Sequence, residues 1–179
     1  MVDGTTIPAP APTVCVQAAS TDAPYREILW HLDASSLTLN HQTFEGFKEI
    51  TTGSGQKVTV MVVHADSIDL TDMVTYNKDG NRPVYNDGGP GKTVHLTNVT
   101  LHVLQQKGNL VAPLPLGPVT LGPPGEAGTD LGSTLAMAAL EANLPLPFPS
   151  IFKDVHVDQY LMTSDTLGIP GFNVRMEKP

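Results

Sequence analysis

The sequence predicts an all-β protein, a bulged antiparallel barrel or sandwich with one short buried helix. Glycine and proline, 16 of each among 179 residues, indicate a chain that turns often. Short apolar and alternating segments, among them 57–63, 93–104 and 152–162, have the pattern of strands. Segment 57–63 is apolar at consecutive positions, which predicts a central strand covered on both faces.

The alternation of apolar residues changes phase at three acidic or amide positions, Asp72, Asn98 and Asp154. Side chains on one face of a strand recur every second residue, yet Leu96 and Val99 are three positions apart. Each change of phase predicts an extra residue, either in a β-bulge or at a strand corner. Asp and Asn suit such positions because their side chains bond nearby backbone amides.

A related four-residue pattern begins at Phe47, Leu70, Leu96 and Phe152. Stacked corners at a regular interval would instead indicate an irregular β-solenoid, which is the alternative fold. The unequal intervals between these four segments favour the barrel or sandwich.

The chain is expected to form one domain. Residues 1–12 read as an extended Pro/Ala-rich N-terminal extension, and 13–179 as a single β domain. Five prolines predict an irregular Pro/Gly-rich crossover over 111–128, because a regular ladder does not tolerate so many missing donors. A helix is predicted over 133–142, capped by Ser133 or Asp130.

Composition excludes several classes of protein. The net charge of −8 leaves no basic stripe for nucleic acid, and no apolar run reaches membrane-spanning length. The single cysteine excludes an internal disulfide framework and a Cys-rich zinc site. The composition predicts a secreted or cell-surface protein, with the cytoplasm as the alternative, although the chain has no recognisable signal peptide.

Three histidines are followed two residues later by aspartate, and these six residues are the candidate site: His31, Asp33, His64, Asp66, His156 and Asp158. Residues i and i+2 of a strand point the same way, so each carboxylate could orient its imidazole. Such pairs suit a general base or a metal site. No cofactor is required by any motif, but a divalent metal could be held by His31, His64 and His156.

These observations favour a non-catalytic extracellular protein that acts by binding or self-assembly, forming a homo-oligomer through its N-terminal extension and edge strands. The alternative is a small β-barrel enzyme, or a carrier for an apolar small molecule, that uses the His/Asp pairs.

Overall fold

A computed structural model describes residues 28–77, 83–143 and 148–176, and the predicted N-terminal extension 1–12 lies outside these ranges. In chain order the elements are β1 Trp30–Asn40, β2 Thr43–Thr51, β3 Lys57–Thr71, β4 Val74–Asn77, β5 Val84–Asp87, β6 Thr93–Ala112, β7 Gly117–Leu121, α1 Leu131–Glu141, β8 Ser150–Thr163, β9 Thr166–Gly168 and β10 Asn173–Arg175. The predicted all-β fold with one short helix is confirmed.

The ten strands form one antiparallel sheet in the order β10-β5-β4-β1-β8-β6-β3-β2, with β7 and β9 paired to β6. Strand β1 also pairs with β3, so β1, β8, β6 and β3 close into a ring. The N-terminal half of β1 pairs with β4 and its C-terminal half with β3. Antiparallel pairing between strands distant in sequence does not fit the solenoid alternative of stacked coils.

The change of phase predicted at Asp72, Asn98 and Asp154 is confirmed. These residues have positive φ angles of 53°, 49° and 51°, a left-handed conformation that Asp and Asn tolerate better than most residues. On either side of Asn98, Leu96 and Val99 are both buried, so the strand turns its other set of side chains inwards there.

In the β1–β8 and β3–β6 ladders, the change of phase does not come from the extra residue that the sequence suggested. Ser35 lies opposite Asp154, and Asp66 lies opposite Asn98, and the pairing register is the same on both sides of each position. Both strands of each pair therefore change phase together, with no extra residue in either. Against β6, however, strand β8 carries one extra residue at Asp154, because Lys107 pairs with His156 and Asn109 with Lys153, so the bulge predicted there is present in this ladder. The other register shifts lie away from these positions, in the β2–β3 and β6–β8 ladders.

The segment beginning at Phe47 has the sequence pattern without the change of phase. Its residues pair with β3 in unbroken register, and Glu49 has no positive φ. Glu49 also lacks the short side chain that bonds a neighbouring backbone group in the left-handed conformation.

Most of the core lies inside the ring, where Met61, Val94 and Val103 are fully buried. A second, smaller cluster of buried side chains contains Val60 and Tyr160. Because the consecutive residues Val60 and Met61 belong to different clusters, the prediction that this strand is covered on both faces is confirmed.

The segment predicted as an irregular crossover, 111–128, is partly regular. Residues 111 and 112 end β6, and β7 pairs with β6 although it contains Pro118. Strand β7 has β6 as its only strand partner among the described elements. Proline is tolerated in such an edge strand because the side that faces away from β6 needs no N–H donor for a ladder.

The helix begins two residues earlier than predicted, with Asp130 as its N-cap. The Asp130 carboxylate accepts bonds from the backbone N–H and the hydroxyl of Ser133, at 3.0 and 2.7 Å. The helix is buried on one face only, because Leu131 and Leu135 are exposed. No helix in the described ranges is both long and apolar enough to span a membrane.

Candidate functional site

The candidate site lies on the outer face of the sheet, where β1 and β8 run side by side. Leu32 and Ala34 of β1 point into the core, so the alternating residues His31 and Asp33 point outwards. Strand β8 follows the same rule, because Val157 is buried between His156 and Asp158.

The antiparallel register sets each histidine opposite an aspartate of the neighbouring strand. His31 pairs with Asp158, and Asp33 pairs with His156. His31 Nδ1 is 2.5 Å from Asp158 Oδ1, and His156 Nδ1 is 2.5 Å from Asp33 Oδ1. The strongest contacts are therefore between strands and not, as predicted, between residues i and i+2 of one strand.

One contact between residues i and i+2 does form, and it joins the two cross-strand pairs. His156 Nε2 is 2.9 Å from Asp158 Oδ1, the same oxygen that His31 approaches. His156 thus lies between two carboxylates, and Asp158 lies between two imidazoles. The result is a continuous chain of polar contacts, Asp33–His156–Asp158–His31.

Aromatic rings continue this arrangement across two further strands. Tyr76 of β4 lies opposite His31 in the sheet, and the centroids of their stacked rings are 5.0 Å apart. Tyr85 of β5 is 5.4 Å from Tyr76, and His156 is 5.9 Å from His31. The four rings therefore form one row, in which Tyr76 stacks on the His31 side of the two imidazoles and restricts the orientation of the His31 ring.

The phenol of Tyr76 belongs to the same polar network. Partial burial raises the pKa of Tyr76 to about 12, with further contributions from the charge of Asp33 and a hydrogen bond to it. The phenol consequently keeps its proton at neutral pH, and its O–H group can donate a hydrogen bond to the Asp33 carboxylate. Asp33 is in turn held against Nδ1 of His156, so Tyr76 helps to fix that imidazole.

His31, His156 and Asp158 form a group that can hold a metal ion, because one ligand atom from each lies within 4.8 Å of the other two. Around a tetrahedral ion with bonds of about 2.0–2.1 Å, ligand atoms are roughly 3.3 Å apart. The contacts of Asp158 with His31 and His156, at 2.5 and 2.9 Å, would each lengthen by less than about 1 Å to reach this spacing. This carboxylate is partly exposed, which leaves it room to move.

The third predicted His/Asp pair lies outside this group. His64 of β3 contacts Thr100 at 3.3 Å, and its Nε2 is 3.9 Å from Asp66, beyond hydrogen-bond range. Asp66 instead pairs with the exposed His41 at 3.0 Å. The structure therefore does not bring His64 together with His31 and His156, because β3 places it on a different part of the sheet.

A further His/Asp pair was not singled out from the sequence. His95 of β6 and Asp69 of β3 lie opposite each other, with Nδ1 and Oδ1 2.5 Å apart. No second imidazole joins them into a three-residue group within the described ranges. This isolated pair repeats the chemistry of one half of the candidate site and is a natural control for it.

Tyr76 could not have been assigned to the site from local sequence, because it carries no spacing motif and reaches His31 only through the β1–β4 register.

Comparison of the chain with protein-family models, with curated proteins and with solved structures gave no match. The site therefore has to be interpreted from its own geometry.

Proposed function

We propose that this protein binds a divalent transition-metal ion through His31, His156 and Asp158. The observation that carries the proposal is the convergence of two imidazole nitrogens on one carboxylate oxygen, at 2.5 and 2.9 Å. In each contact a proton is shared between an imidazole nitrogen and the carboxylate oxygen. A bound cation would take the place of these protons and accept the lone pairs of the same atoms.

Asp33 and Tyr76 supply the outer support that metal-binding histidines usually have. A ligating imidazole bonds a carboxylate or carbonyl through its other nitrogen, which fixes its tautomer and raises its basicity. His156 meets this requirement, because Nδ1 is bonded to Asp33 while Nε2 faces Asp158. Two imidazoles and one carboxylate suit Zn²⁺, Cu²⁺, Ni²⁺ or Co²⁺ better than Ca²⁺ or Mg²⁺, which prefer oxygen ligands.

The test is a calorimetric titration of the metal-stripped full-length protein with Zn²⁺, accompanied by elemental analysis of the dialysed complex. We expect one equivalent to bind, and His156→Ala to abolish this binding. Binding of Zn²⁺ that is unaffected by His156→Ala would contradict the proposal, as would the absence of saturable binding.

His95→Ala is the matched control, because it removes an imidazole from a His/Asp pair of the same length at a more exposed place. It should leave the stoichiometry and affinity for Zn²⁺ unchanged. Thermal melting of each variant without metal separates loss of the site from loss of the fold.

Self-assembly, the first expectation from the sequence, is a second candidate function, now through the edge strand β10. This strand ends the sheet, and the side chains of Phe172, Val174 and Met176 around it are exposed. An exposed apolar edge is a surface on which another strand can pair. An extracellular location stays a prediction from composition.

Light scattering over a range of protein concentrations tests this second candidate. Val174→Lys should lower the mass of any oligomer, and deletion of residues 1–12 tests the predicted contribution of the N-terminal extension. A monomeric mass for the unmodified protein at every concentration would contradict self-assembly.

A further inference from the structure

The surface beside His156 adjoins the proposed metal site, on which the following inference rests. His31, His156 and Asp158 provide three protein ligands, whereas a tetrahedral ion takes four. A site with three protein ligands keeps a position that water or an external molecule occupies. The residues around that position therefore decide what the ion can bind.

Lys107 of β6 lies directly opposite His156 in the β6–β8 ladder. The β-carbons of opposite residues on antiparallel strands are about 5 Å apart on the same face, within reach of a lysine side chain. Lys107 is exposed, and no carboxylate in the described ranges lies within salt-bridge distance of it. Its ammonium group is available for an external anion.

The charges of the assembled site favour a single negative charge. A divalent ion beside the carboxylates of Asp158 and Asp33 is formally neutral, and Lys107 adds one positive charge. An oxyanion that binds the ion through one oxygen can accept a charge-assisted hydrogen bond from Lys107 through another.

A cleft of about 520 Å³ continues from Lys107 over β7 to Asp130, the N-cap of α1. Its polar lining includes Asn109, Thr120, Asp130 and Asp154. This volume suits a small molecule. The two carboxylates in the cleft would repel a polyanion, but they could accept hydrogen bonds from hydroxyl or amino groups on the rest of the ligand.

We propose that the metal ion and Lys107 together bind a small molecule with one carboxylate group, whose uncharged or cationic body occupies the adjoining cleft. The ion takes one carboxylate oxygen, and Lys107 pairs with the other. The binding surface is formed by β8, β6 and β7 as consecutive neighbours in the sheet.

The experiment uses the full-length protein loaded with one equivalent of Co²⁺, whose visible spectrum reports changes in coordination. Acetate and sulfate are titrated in turn as a monoanionic and a dianionic probe. We expect a saturable spectral change with acetate at lower concentration than with sulfate. Lys107→Met should raise the half-saturating acetate concentration about tenfold, as expected for loss of one charge-assisted bond, while Lys107→Arg keeps most of the response.

Lys57→Met is the matched control, since it removes an equal charge that is paired with Glu49 elsewhere on the sheet. Its acetate response should equal that of the unmodified protein. The anion site is wrong, and the metal site is unaffected, if Co²⁺ binds but acetate does not change its spectrum. The same conclusion holds if Lys107→Met and Lys57→Met have equal half-saturating acetate concentrations. If no Co²⁺ binds, both proposals are wrong. A tighter response to sulfate overturns the preference for a single carboxylate.

Discussion

The side-chain amide of Asn143 bonds both backbone groups of Phe44, a residue of the edge strand β2. The Phe44 N–H donates to Asn143 Oδ1 at 2.6 Å, and Asn143 Nδ2 donates to the Phe44 carbonyl at 2.9 Å. Asn143 follows α1 and has a left-handed φ of 47°. One side chain thus occupies hydrogen-bonding groups that a neighbouring strand would otherwise use, and it ties the helix to the sheet.

Removing this amide should both weaken the fold and expose the edge of β2. We expect Asn143→Gly, which tolerates the left-handed backbone, to lower the free energy of unfolding by about 1–2 kcal/mol, measured by urea denaturation. Asn143→Asp keeps the acceptor but not the donor, so its loss should be smaller. A stability for Asn143→Gly equal to that of the unmodified protein would show that these bonds contribute little.

The left-handed backbone at Asn98 should determine how substitutions at this position change the stability of the protein. A β-branched residue is strained there, so Asn98→Val should destabilise the protein by about 1–3 kcal/mol, whereas Asn98→Gly relieves the strain. The variants also lose the bond from Asn98 to Asp165, and comparing Val with Gly removes that shared loss. Thr93→Val, in the same strand without a positive φ, is the control. Equal denaturation midpoints for Asn98→Val and Asn98→Gly would contradict the role assigned to the backbone.

The support that Asp33 gives to His156 should be visible in metal affinity. Asp33→Asn leaves the three proposed ligands in place but weakens the hold on Nδ1 of His156. We expect a 10- to 100-fold weaker affinity for Zn²⁺ with unchanged stoichiometry, measured by competition with a chromophoric chelator. Asp69→Asn makes the same change beside His95 and should have no effect. An equal decrease in both variants would point to a general effect of charge.

The helix cap provides a prediction about pH. Hydrogen bonds from the Ser133 side chain and backbone N–H lower the pKa of Asp130 below its usual value of 3.8. Because the folded-state pKa is the lower one, ionised Asp130 stabilises the fold above about pH 4, and this contribution is lost as the pH falls through the folded-state value. Asp130→Asn should therefore reduce stability more at pH 6 than at pH 3 in urea denaturation. Glu126→Gln, which changes an exposed carboxyl nearby, is the comparison, and a pH-independent effect of Asp130→Asn would contradict this origin.

Much of the architecture could be predicted from the sequence because it depends on local rules. Alternating apolar residues identify strands, and the same alternation identifies Asp72, Asn98 and Asp154 as the positions where its phase changes. Asp130 was one of two candidates for the helix cap, with Ser133, because Asp and Ser are both favoured at that position. The strand at 117–121 was missed because proline counts against a ladder in general, whereas an edge position permits it.

The candidate site was only partly accessible to the same reasoning. Spacing identified His31 with Asp33 and His156 with Asp158 as pairs that share one face of a strand, but it gave the same prominence to His64. Tyr76 and Lys107 had no local signal at all, since each reaches the site from another strand.

Which side chains share a face of a strand can thus be inferred from residue spacing, because the two-residue period of a strand is a property of the local backbone. Which of these side chains meet follows from the pairing of strands that are distant in the chain. Contacts across a sheet depend on strand order and register, and these are set by closing β1, β8, β6 and β3 around a shared core. That closure placed His31 beside Asp158 and His156 beside Asp33, 127 and 123 residues apart in the chain.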